Sequence, residues 1–348
     1  MLPLERQWTC VIGFRHVMQT KRIEYLDALK GFAIFLMVVG HVIPWSMPDL
    51  QLQDIHSYPC HIGLLWNLIY SFHMPLFFMI SGYFTYKYPV GVKNVYNRVQ
   101  RLLIPYVVTG FLLLAVRGHY GYWFLFTLFV LSLLAILLTR LLLYVNKANH
   151  LWIDAVFIIA LFVFLRKVMS LSFFDNPFCE FDQCGNYALP FFVGYLMKKY
   201  NALEKVKWSC FSLLFVAFAI LFSNKYWQPT DDGLVILHKV IGKISQYCTA
   251  IIGSLLFWEL FRKGINRKVQ ALLSVVGKYS MEIYILHILF VLQIKEVGLF
   301  WIEQGVTTCL TVQVVYSTFV AALAIFCSVC LARFIKRSKL MSRLMFGS

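Results

Sequence analysis

Long apolar segments alternate with short polar ones along almost the whole chain. A helix needs about 20 apolar residues to cross a hydrocarbon core of about 30 Å, and most of these segments approach that length. The pattern therefore predicts an all-α, polytopic transmembrane helical bundle of about ten spans. The approximate limits of the predicted spans are 30–47, 62–86, 102–117, 121–143, 151–166, 186–198, 208–223, 245–261, 271–294 and 308–333.

Lysine and arginine are concentrated in every second connection between these segments, whereas the alternate connections collect aspartate and glutamate. Cytoplasmic loops of membrane proteins retain basic residues, so the distribution predicts an even number of spans with both termini in the cytoplasm. We expect a cytoplasmic N-terminal tail at 1–22, one membrane domain at 23–335 and a basic cytoplasmic C-terminal tail at 336–348.

Composition excludes a water-soluble globule, because 60% of the residues are hydrophobic and 17% are aromatic. The mean hydropathy is +0.71. The formal net charge of +16 follows from a basic cytoplasmic rim facing anionic membrane lipids, so no nucleic-acid partner is needed to explain it. The basic cluster at 93–101 has a second interpretation, since arginine and lysine also bind polyphosphates. Both interpretations stay open.

The nine cysteines are scattered, and their spacing matches no metal site, so no metal is predicted. Most of them lie in or near apolar segments, where small apolar packing is their ordinary use. Cys179 and Cys184 differ, because both fall in a predicted outer connection. A disulfide there is one prediction, conditional on an oxidising compartment, and two free thiols are the other.

The first apolar segment carries three ionisable residues, within the sequence DALKGFAIFLMVVGH at 27–41. Lys30 and His41 are eleven residues apart; this is about three turns and about 16 Å of rise, so both point to nearly the same helical face. Asp27 precedes Lys30 by one turn and is expected to pair with it at the cytoplasmic interface. Lys30 alternatively serves as an interfacial anchor, and His41 as a buried hydrogen-bonding residue between helices.

Ionisable residues recur in two later spans. His73 lies in the second span, and Glu282 and His287 lie in the ninth. A charged or polar side chain in hydrocarbon is costly and usually faces a cavity, a partner or a substrate. Three histidines and one glutamate in membrane segments therefore indicate a shared site.

Five motifs follow one another along the chain, and together they resemble the membrane-bound acyltransferase-3 family, in particular its fucose-4-O-acetylase-like branch. The motifs are RIEYLDALKGFAIFLMVVGH, FHMPLFFMISGYF, NRVQRLLIPY, GYWFLFTLF and GKYSMEIYILH. The resemblance implies an integral enzyme of the bacterial inner (cytoplasmic) membrane with about ten spans. It also implies transfer of an acyl group, most often acetyl from acetyl-CoA, onto sugars of cell-surface glycans.

The resemblance assigns roles to individual residues. His41 takes the place of the family's essential histidine, and Lys30 stands where many relatives have arginine. Because a lysine ammonium is a point charge, Lys30 cannot make the planar, bidentate contacts that a guanidinium would make at this position. The other matches are Arg98 and Arg101 before the family's Leu-Leu-x-Pro-Tyr-like stretch, and Trp123 and Phe124 in its Trp-Phe-Leu element.

Acyl transfer from a thioester to a sugar hydroxyl needs a base for the hydroxyl proton and hydrogen-bond donors for the developing oxyanion. His41 is the predicted base, because a neutral imidazole accepts a proton near neutral pH. His73 and His287 are expected to orient it, to donate to the thioester oxygen or only to pack. Glu282 has two open uses, to steady a histidine or to pair two helices.

Acetyl-CoA is made in the cytoplasm, and we expect its phosphates to bind Arg98, Arg101 and Lys30 there. Trp123 and Phe124 either line a tunnel for its pantetheine arm or belong to the lipid interface. The side on which the acceptor glycan, or its lipid-linked precursor, meets the acetyl group stays open. A carrier or flippase for a glycan or lipid is the alternative function, since the same buried cations would bind an anionic substrate.

Overall fold

The computed structural model describes residues 23–47, 60–86, 91–118, 121–169, 180–202, 210–226, 235–292 and 294–348. All regular secondary structure within these ranges is helical, which confirms the all-α prediction for them. The helices are α1 (Glu24–Trp45), α2 (Cys60–Thr85), α3 (Val92–Arg98), α4 (Ile104–Arg117), α5 (Trp123–Val145), α6 (Leu151–Val168), α7 (Asp182–Lys199), α8 (Cys210–Tyr226), α9 (Val235–Glu259), α10 (Arg267–Lys278), α11 (Ser280–Leu286), α12 (Lys295–Glu303), α13 (Val306–Ile335) and α14 (Lys339–Phe346). A π-helical turn joins α3 to α4 (Val99–Leu103), another extends α9 (Leu260–Gly264), and a 3₁₀ turn extends α11 (His287–Leu289).

Six stretches of the described helices are each long and apolar enough to cross a membrane, namely 24–45, 63–85, 93–115, 123–145, 240–264 and 306–335. A helix also lies in every other predicted span, but α6 and α7 each carry charged residues and α8 is short. The protein is therefore a multi-pass membrane protein. The number of about ten spans and the cytoplasmic position of both termini stay predictions.

The outward surfaces of these helices are apolar. Large side chains on α5, α8 and α13 are among the most exposed in the described chain, including Leu137, Leu213, Phe319 and Phe326. Surfaces of this kind in water would favour aggregation, whereas hydrocarbon tails solvate them. The exposed side chains therefore agree with a position in lipid.

The predicted ninth span, 271–294, is not one continuous helix. α10 ends at Lys278, and α11 leaves it at an angle of 60° before ending in the 3₁₀ turn. α10 is amphipathic and carries basic residues at both ends, a composition that favours the membrane interface over its core. Together the two helices are apolar enough to cross a membrane as one broken span, so the ninth span stays a prediction; the apolar count did not register the change of helix direction.

Two helix pairs approach so closely that backbone packs against backbone. In the pair α1 and α10, a Cβ atom on Gly31 would lie 1.9 Å from a carbonyl oxygen of α10, and one on Gly277 would lie 1.8 Å from a carbonyl oxygen of α1. Gly82 and Gly194 create the same arrangement between α2 and α7. These pairs make the most extensive contacts between described helices. Small residues allow such contacts in lipid, where packing drives helix association.

α1 begins, and α2, α7 and α13 terminate, on the same side of the bundle. We call this side the basic end. Lys30 of α1 lies 5.5 Å from the centre of the Phe84 ring of α2, and Lys198 of α7 lies over a tyrosine of α2. Lys336, just beyond α13, forms an ion pair with Glu282 of α11. These three lysines, which the sequence assigns to the cytoplasmic side, thus lie at one end of the described fold.

A buried polar network ties three helices together at this end. Asp154 of α6 is fully buried, and its Oδ2 lies 2.5 Å from Nζ of Lys199. Tyr200 donates its hydroxyl to the same oxygen at 2.9 Å, and Asn146 donates its amide N–H to Oδ1 at 2.7 Å. Burial, together with the adjacent carboxylate, raises the pKa of Tyr200, so the phenol remains a donor near neutral pH. The sequence showed no sign of this network.

Residues 336–348, which were expected as a tail, contain the short helix α14. Its Met345 and Phe346 are buried, and the helix packs against α4. Gly347 follows it in the left-handed conformation, with φ of 64°. Because the segment is amphipathic, its apolar side is buried against the bundle while its basic residues remain at the surface.

Candidate active site

A cavity of about 130 Å³ begins at the basic end and follows one face of α1. Lys30, Ile34 and Met37 line it in succession, because residues three and four apart share a helical face. The other lining residues are Met74, Phe77, Ser81, Leu102, Phe124, Leu125, Leu128, Ser280, Met281 and Tyr284. We call it the apolar cavity, because most of its lining is hydrocarbon, aromatic or thioether. It suits a thin organic chain better than a hydrated ion.

The mouth of the apolar cavity contains a cation with its counter-ion. Nζ of Lys30 lies 2.6 Å from Oδ1 of Asp27, one turn earlier in α1. Asp27 is almost fully buried, whereas a quarter of the Lys30 side chain remains accessible. The pairing that the sequence predicted is therefore present. A role for Lys30 in binding a donor stays a prediction.

The two predicted phosphate-binding arginines lie beside this mouth but are held differently. Arg98 donates from Nη2 to Oγ1 of Thr85 at 3.3 Å, and the Thr85 hydroxyl donates to the carbonyl oxygen of Ser81 at 2.7 Å. Ser81 in turn lines the cavity. Arg101 is exposed on the π-helical turn. One guanidinium is thus fixed near the cavity, and the other is open to the surface.

Three helices that line the apolar cavity each carry a histidine just beyond its deep end. His41 is one turn past the last lining residue of α1, His287 is one turn past that of α11, and His73 adjoins a lining residue of α2. The ring centroids of His41 and His287 are 5.3 Å apart. His73 and His287 are fully buried, while His41 is half-buried. The fold therefore brings together histidines that are widely separated in sequence.

His287 lies where α11 ends inside the bundle, and its ring satisfies backbone groups at that end. Its Nδ1 lies 3.0 Å from the carbonyl oxygen of Ile283 and 2.8 Å from that of Tyr284. A carbonyl oxygen only accepts hydrogen bonds, so Nδ1 carries the proton and Nε2 of the neutral ring holds the lone pair. That Nε2 is buried without a hydrogen-bond partner among the described residues.

His73 is anchored in the same way. Its Nδ1 donates to the carbonyl oxygen of Ile69 at 2.8 Å, which leaves the lone pair of the neutral ring on Nε2. The edge of the Tyr70 ring meets the His73 ring at a centroid distance of 4.6 Å. Tyr70 also packs on α1, because a Cβ atom on Gly40 would lie 2.8 Å from its ring. Tyr70 therefore links His73 to the residue preceding His41.

His41 is the least constrained of the three rings. Its Nδ1 has no hydrogen-bond partner in the part of the chain that the structure describes. Trp45, one turn further along α1, packs on it with a centroid distance of 5.2 Å. His41 and His287 are thus neighbouring rings, and each has one ring nitrogen without a hydrogen-bond partner among the described residues.

The structure gives the two predicted aromatic residues different surroundings, and it shows which residue Glu282 contacts. Phe124 lines the apolar cavity, whereas Trp123 stacks on Tyr187 at 5.3 Å and 17°. Glu282 pairs with Lys336, so of its two open uses the structure shows the pairing of helices. Cys184 is buried, and its predicted partner, Cys179, lies outside the described residues, so the disulfide stays a prediction.

Two tyrosines of the site were not found from the sequence. Tyr284 lines the cavity and contacts His287. Tyr122 donates its hydroxyl to the carbonyl oxygen of Ile285 at 2.7 Å. Its backbone φ is 73°, a value that residues other than glycine rarely adopt. One signal was available, since Tyr284 precedes His287 by one helical turn. Tyr122 gave none, because its partner is distant in sequence.

These features define a class: a multi-pass helical membrane protein in which an apolar cavity leads from a basic end to buried histidines. Residues 23–333 match the acyltransferase-3 family profile, which describes an acyltransferase domain. Because the match covers most of the chain, the protein belongs to this family and is a membrane acyltransferase. Comparisons with curated proteins and with solved structures gave no match.

Proposed function

We propose that the protein is an integral membrane O-acetyltransferase that moves an acetyl group from acetyl-CoA to a sugar hydroxyl. The acceptor is a cell-surface polysaccharide or its lipid-linked precursor, and the protein resides in the bacterial inner membrane. The observation that carries the proposal is the apolar cavity itself. It runs from a cationic mouth at Lys30 to within one helical turn of His41 and His287, whose rings are neighbours.

The mouth of the cavity matches the chemistry of the donor. Coenzyme A combines a strongly anionic phosphate group with a long, uncharged pantetheine arm. Arg101 and Lys30 are accessible for phosphate oxygens, and Arg98 is held near the cavity by its hydrogen bond to Thr85. The arm would follow the lining of α1 and α11 and bring the thioester to the histidines.

The chemistry at the histidines is a single transfer. His41 accepts the proton of the sugar hydroxyl as that oxygen attacks the thioester carbonyl carbon, which forms the C–O bond. The C–S bond then breaks, and the CoA thiolate takes the proton from the imidazolium. An N–H or O–H group near the cavity end stabilises the oxyanion between these steps. His73, with Nδ1 fixed on a carbonyl group, holds the surrounding geometry, and His287 presents its Nε2 lone pair beside His41 as a second proton acceptor.

The proposal is tested by two measurements on the full-length protein. Purified protein in nanodiscs is titrated with acetyl-CoA by calorimetry. Surface glycans from wild-type and deletion cells are compared by mass spectrometry. We expect saturable acetyl-CoA binding and the loss of one O-acetyl modification in the deletion strain. Absence of acetyl-CoA binding, with unchanged glycans, would refute the proposal.

A further inference from the structure

A second cavity, of about 200 Å³, lies between α2, α7 and α9. It is lined by residues from the first half of α7, from the middle of α9, and by Tyr70, Ser71 and Pro75 of α2. These α2 residues are further from the basic end than Ser81 of the apolar cavity, so the second cavity lies further from that end than the mouth of the apolar cavity. We call it the polar cavity, because hydroxyl, amide and ammonium groups dominate its lining, including Tyr70, Asn186, Tyr187, Lys243, Gln246 and Tyr247.

The polar cavity approaches His73 through α2. Tyr70 and Ser71 line it on one side of His73, and Pro75 lines it on the other. Met74, between them in sequence, lines the apolar cavity. One short segment of α2 therefore forms a wall of both cavities. His73 lies within that wall.

A second contact shows how thin the separation is. Tyr187 of the polar cavity stacks on Phe78 at 4.6 Å and on Trp123 at 5.3 Å. Phe78 in turn meets the Phe124 ring at 4.9 Å, and Phe124 lines the apolar cavity. Three aromatic rings in series, Tyr187, Phe78 and Phe124, thus separate the cavities here.

The lining chemistry suits a sugar. Amide groups both donate and accept, as sugar hydroxyls do, and tyrosine rings offer a flat apolar face to the C–H side of a pyranose. Asn186 is held for such contacts by hydrogen bonds to Arg166 and Gln183. Lys243 donates to Oε1 of Gln246 at 3.4 Å, and both side chains are exposed at the mouth. The ammonium group adds an affinity for acidic sugars or for a phosphate-linked glycan.

We infer that the polar cavity binds the acceptor glycan and that the acceptor reaches the histidines from the end opposite the donor. This inference rests on the proposed function, because it assigns one of the two substrates of that reaction. Acetyl-CoA and the glycan then occupy separate cavities. The histidines lie between them, and only the acetyl group passes from one side to the other.

The test compares acceptor and donor functions in the same variants. Lys243→Ala combined with Gln246→Ala, and separately Tyr247→Phe, alter the polar cavity at exposed or half-buried positions. Ile244→Ala is the matched control, because Ile244 is exposed on the same helix and is not part of the cavity lining among the described residues. Each variant is expressed in deletion cells of the natural host. Alkali-released acetate from surface glycans is measured, and the dissociation constant for acetyl-CoA is measured on purified protein.

We expect glycan acetate to fall by about tenfold in the double variant, as for the loss of a few hydrogen bonds. The dissociation constant for acetyl-CoA should stay within about twofold of wild type. Wild-type acetate levels in both polar-cavity variants would overturn the inference, as would weakened acetyl-CoA binding in them. A wild-type protein that binds no acetyl-CoA would instead refute the proposed function and with it the inference.

Discussion

At the scale of single residues, the chemistry of the site depends on which histidine ring nitrogens already form hydrogen bonds. His287 uses Nδ1 to satisfy two carbonyl groups at the end of α11 and keeps Nε2 without a partner among the described residues. A helix that ends inside a membrane bundle must satisfy its last carbonyl groups internally. His287 thus combines a structural contact with a free proton acceptor, and substitution can separate the two.

The variant His287→Asn is expected to retain the fold and lose activity. The asparagine amide keeps a donor near the position of Nδ1 but provides no lone pair at Nε2. We expect kcat to fall by about 100-fold, the lower range for a lost acid–base group. The thermal midpoint should stay close to that of wild type, whereas His287→Ala should lower both. A wild-type kcat in His287→Asn would show that His287 only packs.

Removal of the ion pair between Asp27 and Lys30 is expected to change the KM for acetyl-CoA rather than kcat. Lys30→Met combined with Asp27→Asn removes both charges and leaves no buried carboxylate without its cation. Loss of one charge-assisted contact to phosphate should raise KM for acetyl-CoA by about tenfold. Asp27→Asn alone keeps the lysine and serves as the control. Steady-state kinetics with an unchanged KM in the double variant would assign Lys30 to anchoring the helix.

The face of α1 was predictable from sequence, because helical periodicity alone aligns Lys30 with His41. The roles of Tyr122 and Tyr70 were not. Tyr122 bonds to Ile285 across 163 positions of sequence, and Tyr70 meets α1 only through the packing of α2. Local patterns carry no information on contacts of this kind.

At the scale of helices, close backbone contact makes the glycines of α1 and α10 the most sensitive positions. Gly31→Ala or Gly277→Ala would place a methyl group within 2 Å of a carbonyl oxygen. The helices must then separate, and we expect a loss of about 3 kcal/mol or more, the upper range for overpacking. Thermal denaturation in detergent measures the effect. Gly91→Ala is the control, since nothing described lies within 4 Å of its added Cβ. Equal midpoints for Gly277→Ala and Gly91→Ala would contradict the packing.

Disruption of the network around Asp154 is expected to lower the stability of the protein without weakening the binding of acetyl-CoA. Asp154→Asn leaves the buried ammonium group of Lys199 without a counter-ion, and such changes cost about 3–5 kcal/mol. None of the network residues Asn146, Asp154, Lys199 and Tyr200 lines the apolar cavity. Folded Asp154→Asn should therefore bind acetyl-CoA with wild-type affinity while melting earlier. A wild-type melting curve would show that the network contributes nothing to the fold.

The positions of helices along the chain could be predicted from the sequence more fully than the directions in which the helices run. Apolar length located a helix in each predicted span, because burial in lipid demands it. The junction between Lys278 and Ser280 escaped detection, since both sides of the bend are helical and the bend has no proline to mark it. α14 escaped because its charges resemble those of a solvated tail, while its burial depends on α4.

At the scale of the whole molecule, two cavities share a wall that carries His73, and His41 and His287 lie just beyond the deep end of the apolar cavity. Lys30, Arg98 and Arg101 lie at or beside the mouth of the apolar cavity, so basic residues there would serve both membrane insertion and the proposed binding of the donor. Sequence located the histidines but neither cavity, because each cavity is formed by helices that are distant in the chain.

The central claim is that His41 acts in acetyl transfer at the deep end of the apolar cavity. The most direct measurement follows radiolabelled acetyl from acetyl-CoA into surface glycan, using membrane vesicles that contain wild-type protein or His41→Ala. We predict that the variant binds acetyl-CoA as wild type does and that label in glycan falls by at least about 100-fold. Incorporation of label by His41→Ala at the wild-type rate would contradict the account.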